Sequence, residues 1–202
     1  GNRNWSVDIH TEISQLSSFH AVPREGHLEQ LLRVVAFLKK KAKLTLYFNL
    51  NNNNLDEKMF NGSKKEQFMD HYRDTTEELP DRMLKPRGRF PRITAFVDAS
   101  HATDKVTRKS HTGYIIFINR APVIWHSKRQ NTVESSTFTS EFIALKACME
   151  RIVGIRFKLW MFGIQIDGSA DVMCDNQSVV NNSSKFESTL DKKHASIAYH
   201  AV

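Results

Sequence analysis

After about residue 91 the chain settles into apolar runs whose period switches in a fixed order, and that order restricts the fold more than any other feature. ITAFVDAS alternates as a strand ending on Asp98; TGYIIFIN and PVIWHS follow as two further strands separated only by Arg120 and Ala121, the spacing of a hairpin. A helical stripe then runs from about 135 to 161, followed by a strand over 170–175, a short helix from about Gln177 and a final amphipathic segment from about Thr189. Three strands, a helix, a strand and a helix predict an α/β domain, a mixed sheet with helices packed on its faces.

Upstream the pattern is different. Trp5, Ile9, Ile13 and Leu16 recur at helical spacing from Trp5 to about Phe19, with Asp8 and Glu12 near the start, where the helix dipole favours negative charge. HAVPREGH breaks that helix. Leu28, Leu31, Leu32, Val35 and Leu38 then mark an amphipathic helix from Leu28 to Lys41 that ends in three lysines. Leu44 to Leu50 reads as a strand stopped by four asparagines. Mixed charge and Pro80, Pro86 and Pro91 mark a surface connection with one short helix around 64–72. The predicted organisation is a small helical and strand segment over 1–50, a linker over 51–91 and the α/β domain over 92–202.

The 202 residues carry a formal net charge of +7, which suits polyanionic partners and serves solubility equally well. The two cysteines, Cys148 in a helical pattern and Cys174 in a strand pattern, make neither a metal-ligand spacing nor a disulfide framework, and read as small buried hydrophobes in a reducing compartment. No apolar run approaches the roughly 18–20 residues of a membrane span, and the first residues lack the apolar stretch of a signal peptide. A soluble intracellular chain without membrane attachment is expected, in the cytoplasm or the nucleus.

Three carboxylates stand where chemistry is plausible. Glu141 falls on or beside the stripe of Phe138, Phe142, Leu145, Cys148, Met149 and Ile152, and a buried carboxylate needs a cation or hydrogen bonds. Asp98 and Asp175 each finish a strand. Taken singly, each acid has an ordinary reading: Glu141 snorkels at the stripe's edge, Asp98 belongs to a turn, and Asp175 caps the next helix by accepting from Gln177 or Ser178. Taken together, two strand ends and one inward helix position can meet at one edge of the sheet. Carboxylates so crowded repel one another, and hard divalent cations such as Mg2+ relieve that repulsion. Paired ions on such a cluster perform phosphoryl chemistry.

In this order AFVDAS, VTRKSHTGYIIFINRAPVIWHSKRQ, SSTFTSEFIALKACMERIVGIRFKLWMFGI, VMCDNQSVV and KKHASIAYHAV resemble the ribonuclease H domain of copia-type retrotransposon polyproteins. The upstream IHTEISQLSSFHAVPREGHLEQLLRVVAFLKK is similar to the segment joining reverse transcriptase to that domain. The resemblance implies a ribonuclease-H-like fold with a mixed five-stranded sheet. It implies cleavage of the RNA strand of RNA:DNA hybrids to 5′-phosphate products, with two Mg2+ or Mn2+ ions. Reverse transcriptase and other parts of the same polyprotein would be partners, and a virus-like particle a setting. By resemblance Asp98, Glu141 and Asp175 match three of four acidic positions. The fourth, two residues after His194, is Ser196 here. A hydroxyl is a poor ligand for Mg2+ beside a carboxylate, and Asp191, one helical turn earlier, ranks first as its substitute, ahead of His194 and Glu187.

Lys105, Arg108 and Lys109 between the first two strands, and Lys128, Arg129 and Gln130 after the third, would grip phosphates flanking a scissile bond, or else form solvated loops. Ser100, Asn176 and Gln177 adjoin the acidic positions and could meet sugar hydroxyls, the groups that distinguish RNA from DNA. Trp125 and Trp160 read as core. Two functions follow: a metal-dependent endonuclease on hybrids, or the same fold kept as a nucleic-acid-binding or docking module with impaired catalysis. An integrase-like reading lacks its zinc-binding His and Cys set.

Overall fold

The computed structural model describes residues 9–41, 90–166 and 168–183, with isolated positions 48, 82 and 88. The predicted strand over 44–50, the helix around 64–72 and the segment from Thr189 onward lie outside the described residues. Among the described residues the elements are α1 (His10–Ser17), α2 (Glu25–Lys40), β1 (Ile93–Ser100), β2 (His111–Ile118), β3 (Ala121–Arg129), α3 (Thr137–Met161), β4 (Asp171–Cys174) and α4 (Gln177–Ser183). The strands form one sheet in the order β3-β2-β1-β4. β1 and β2 pair antiparallel, as do β2 and β3, while β4 lies parallel to β1. The sheet is therefore mixed, as predicted. It has four strands among the described residues, so the expected fifth is not found there.

Alternation along β1 puts Ile93, Ala95, Val97 and Ala99 in the core and leaves Phe96, Asp98 and Ser100 exposed. Those core residues join Tyr114 and Ile116 of β2 beneath α3, which contributes Phe138, Phe142, Ala144, Leu145, Cys148 and Ile152. At 25 residues α3 is long enough to carry the chain from the β3 edge across the sheet to β4. Its start is fixed by Ser136, whose hydroxyl accepts from the Thr139 amide at 3.3 Å. Its end is fixed by Gly163 at φ 70°, a left-handed turn that lets the Ile164 amide reach back to the Leu159 carbonyl at 2.9 Å.

The hairpin turn is one residue earlier than the spacing suggests. Ile118 pairs with Ala121, so Asn119 and Arg120 make the turn. Asn119 takes φ 56°, a conformation its short polar side chain tolerates. Its side-chain oxygen accepts from the Arg92 amide at 2.9 Å while its own amide donates to the Arg92 carbonyl at 2.8 Å. At the same end of the sheet the Arg92 guanidinium lies 2.9 Å from the carboxylate of Asp171, tying β4 to the start of β1.

α1 packs on β3, and α2 packs on α1. The turn between the two helices is closed by Phe19 stacked on His27 with ring centroids 4.2 Å apart, and by the Arg24 amide donating to His27 Nδ1 at 3.1 Å. α2 uses a different face from the one its leucines predict. Val34 and Phe37 line the groove toward Ile9, just before α1, and Leu16 of α1, whereas Leu28, Leu31, Leu32 and Val35 are each about half exposed. No described helix is long and apolar enough to cross a membrane.

Candidate active site

Parallel pairing of β1 with β4 decides where the strand-end acids go. The last register pair is Val97 with Cys174, so Asp98 and Asp175 are the next residues on adjacent strands, at the same end of the sheet. Neighbouring strands are about 4.8 Å apart, which brings two negative charges side by side. α3 starts over that end. Glu141, in its second turn, is 7% exposed and its carboxylate points to the same place. The three acids therefore lie at one end of the sheet, and Glu141, Cys174 and Asp175 form the tightest set. One ligand atom from each of these three lies within 4.8 Å of the others. Asp98 stands outside that set and acts on it through space.

The electrostatics follow from the packing. Burial pushes the Glu141 carboxyl up to about 7, and repulsion from Asp98 and then Asp175 adds to the shift, while the Ala99 amide, donating to the carboxylate, opposes it. Its Oε2 is buried without a hydrogen-bond partner among the described residues. An orphaned buried carboxylate oxygen beside a second acid is what a divalent cation would satisfy, so Glu141 and Asp175 fit an oxygen-ligated ion, with the charge of Asp98 nearby.

Asp175 is released from the capping role open to it in the sequence. Asn176 performs that task, its side-chain oxygen accepting from the Ser178 amide at 3.0 Å and the Val179 amide at 3.2 Å. The Gln177 side chain is engaged on its own helix, donating to Asn181 at 3.0 Å. Cys174, expected to be a buried hydrophobe, is half-buried instead and sits within the acidic set. Its thiol is pushed up, first by burial and, more weakly, by Glu141, Asp175 and Asp98. Cys148 does match the expectation: it is fully buried, and burial pushes its thiol up to about 12.

The basic residues divide. Lys105, Arg108 and Lys128 are exposed, and Lys109 is partly so. Arg108 takes φ 58° in the loop joining β1 to β2. Arg129 is tied down, its guanidinium 2.8 Å from the Asp104 carboxylate. Hydrogen bonds from Thr107 and Arg129 hold the Asp104 carboxyl well below the usual range. Gln130 faces inward, its side-chain amide donating to Thr112 Oγ1 at 3.0 Å and to the Ser140 carbonyl at 2.9 Å. Ser100 is exposed at the end of β1. Asp191 and Ser196 lie outside the described residues.

Spacing gave no sign of His101. Its Nδ1 lies 3.3 Å from Ser140 Oγ and 3.5 Å from Ser110 Oγ, linking the loop after Asp98 to the residue before Glu141. The residue was findable only as a polar side chain three positions beyond Asp98; Ser140, one of its two serines, is 39 residues away in sequence. Trp160 lies under the Arg156 guanidinium at 5.8 Å, and Trp125 is half-buried on β3.

The fold and site thus define a mixed-sheet α/β protein with an acidic cluster at the end of its two parallel strands. Its relatives are retrovirus-related Pol polyproteins of plant transposons. The chain is 30% identical over 115 residues to that of transposon TNT 1-94 from Nicotiana tabacum, a match covering 57% of the chain and 9% of the relative. It is 23% identical over 197 residues to that of transposon RE1 from Arabidopsis thaliana, covering 96% and 11%. To that of transposon RE2 from the same plant it is 27% identical over 118 residues, covering 57% and 8%. The chain therefore resembles a region of a retroelement polyprotein and spans about a tenth of the length of these relatives. No family model and no solved structure matches it.

Proposed function

We propose that this chain carries a metal-dependent ribonuclease H that cuts the RNA strand of RNA:DNA hybrids during reverse transcription of a retroelement. The observation that carries the reading is the buried Glu141 with its unpartnered Oε2, held beside Asp175 and Asp98. Asp98, Glu141 and Asp175 would hold Mg2+ or Mn2+, with Asp191 a further candidate ligand where Ser196 replaces the usual acid. Divalent cations bound there supply charge neutralisation and Lewis acidity toward a phosphodiester. The protein's own part is preorganisation. Packing of α3 on the sheet keeps the Glu141 carboxylate out of water, and Asn176 leaves Asp175 clear of the helix start. Lys105, Arg108 and Lys109 in the loop after β1 and Lys128 near the end of β3 would offer positive charge to backbone phosphates, and the exposed Ser100 would meet a ribose hydroxyl. The Pol relatives support the retroelement setting and, with it, neighbouring polyprotein domains as partners.

The test is an RNA-labelled RNA:DNA hybrid incubated with Mg2+, with Mn2+ and with EDTA. Cleavage should require the ion and fall at least about 100-fold in Asp98→Asn and in Asp175→Asn. Equal cutting by wild type and variants, or none by wild type with either ion, overturns the reading. In the latter case Ser196 favours a module that holds hybrid without turnover, recognised by salt-sensitive binding of the uncut substrate.

A further inference from the structure

We propose that Cys174 makes this acidic centre a trap for thiophilic divalent cations, Zn2+ or Cd2+, which bind through its sulfur together with Glu141 and Asp175 and exclude Mg2+. The inference rests on the metal-binding role proposed for the acids and adds a ligand of different chemistry to it.

Two independent observations meet at this point. The first is position: Sγ of Cys174, a carboxylate oxygen of Glu141 and one of Asp175 all lie within 4.8 Å of one another. Successive strand residues ordinarily point to opposite faces, but β4 ends at Cys174 and the chain bends at Asp175, so neighbours in sequence serve one site. The second is the orphan: Glu141 is more than nine-tenths buried, and its Oε2 has no partner among the described residues. A cation in this set would satisfy that oxygen.

Ligand type decides which cation is held most tightly. Mg2+ prefers oxygen, keeps much of its water and gains nothing from sulfur. Zn2+ and Cd2+ prefer thiolate, and a three-ligand site with one Cys and two carboxylates leaves the fourth tetrahedral position open to water. Bonds of about 2.3 Å to sulfur and about 2.0–2.2 Å to oxygen require the three atoms to close by about 1 Å, a side-chain rotation rather than a backbone shift. On binding, the thiol proton passes to solvent and the thiolate sulfur donates to the ion, with no change of oxidation state.

The experiment titrates the metal-free chain with Cd2+ and reads the ultraviolet sulfur-to-cadmium charge-transfer band, in wild type, Cys174→Ser and Asp175→Asn. In parallel, Zn2+ is titrated into the Mg2+-dependent hybrid-cleavage reaction. The expected result is a saturable one-equivalent band in wild type, its loss in Cys174→Ser, and at least about 10-fold weaker Cd2+ binding in Asp175→Asn. Half-inhibition by Zn2+, measured against each protein's own Mg2+ rate, should need at least about 10-fold more Zn2+ in Cys174→Ser. A wild type without the band overturns the inference, and so does a band that persists in Cys174→Ser. If the band behaves as expected but no protein cleaves hybrid, the nuclease reading fails and the sulfur site stands. Should Cys174→Ser fail to fold, Asp175→Asn binding Cd2+ as tightly as wild type is the outcome that overturns the proposal.

Discussion

The sheet under α3 and the pair α1–α2 are both written in apolar residues at regular spacing, yet they end in opposite states. In the sheet region the pattern is consumed: Ile93, Ile116, Phe142, Cys148 and Ile152 are at or near zero exposure. In α2 it is left open, with Leu28 at 57%, Leu32 at 58% and Val35 at 52% exposed. The comparison teaches that periodicity reports which face of a helix is apolar, and says nothing about whether a partner is there to cover it. α2 meets α1 through Val34 and Phe37 instead, because the short turn closed by Phe19 and His27 fixes how the two helices approach.

The comparison breaks most easily at Phe142. Replacing this fully buried ring with alanine removes its packing on Phe138, whose ring centroid is 5.7 Å away, and should lower unfolding stability by about 3–5 kcal/mol in urea titrations. A loss under 1 kcal/mol would place the core elsewhere.

Next in size is the cost of keeping Glu141 buried. Its folded-state pKa of about 7 lies above the ordinary 4.5, so the folded chain binds more protons than the unfolded chain between those values. Stability of the metal-free protein should therefore fall as pH rises through that window, by on the order of 2 kcal/mol. Glu141→Gln should flatten the profile. An unchanged slope in that variant would mean that the carboxylate is not held as described.

Ser136→Ala should cost about 1 kcal/mol by leaving the Thr139 amide without its cap, read as a lower denaturation midpoint at constant slope. The smallest effect is expected at the open face. Leu32→Ser should change stability by less than about 0.5 kcal/mol. A loss approaching that of Phe142→Ala would show the leucine face to be covered in solution and would erase the contrast between the two regions.

Much of the sheet was legible because its strands alternate cleanly and its long helix carries both a cap and a stop. The observed α3, Thr137–Met161, lies within two residues of the run over 135–161, and β4 falls inside 170–175. Among the acids, Asp98, Glu141 and Asp175 could be named because each interrupts an apolar pattern at a point where a carboxylate is costly or conspicuous. The hairpin was read one residue late, since the left-handed turn at Asn119 depends on its bond to Arg92, 27 residues away. Cys174 was read only in part: it packs against the core as a small hydrophobe, but nothing in VMCDNQ shows that its sulfur comes within 4.8 Å of carboxylate oxygens of Glu141 and Asp175.

The amino-acid order alone determined which segments are strands and which are helices, and which side chains are acidic, basic or apolar, because these depend on neighbours within a few residues. Only the tertiary structure decided that β4 lies parallel to β1, that Asn176 and not Asp175 caps α4, that Arg129 is spent on Asp104, and that Glu141 keeps an oxygen without a partner. Each of these is a choice among partners distant along the chain or among competing neighbours, and close packing with its electrostatics selects one of them only when the whole chain has closed.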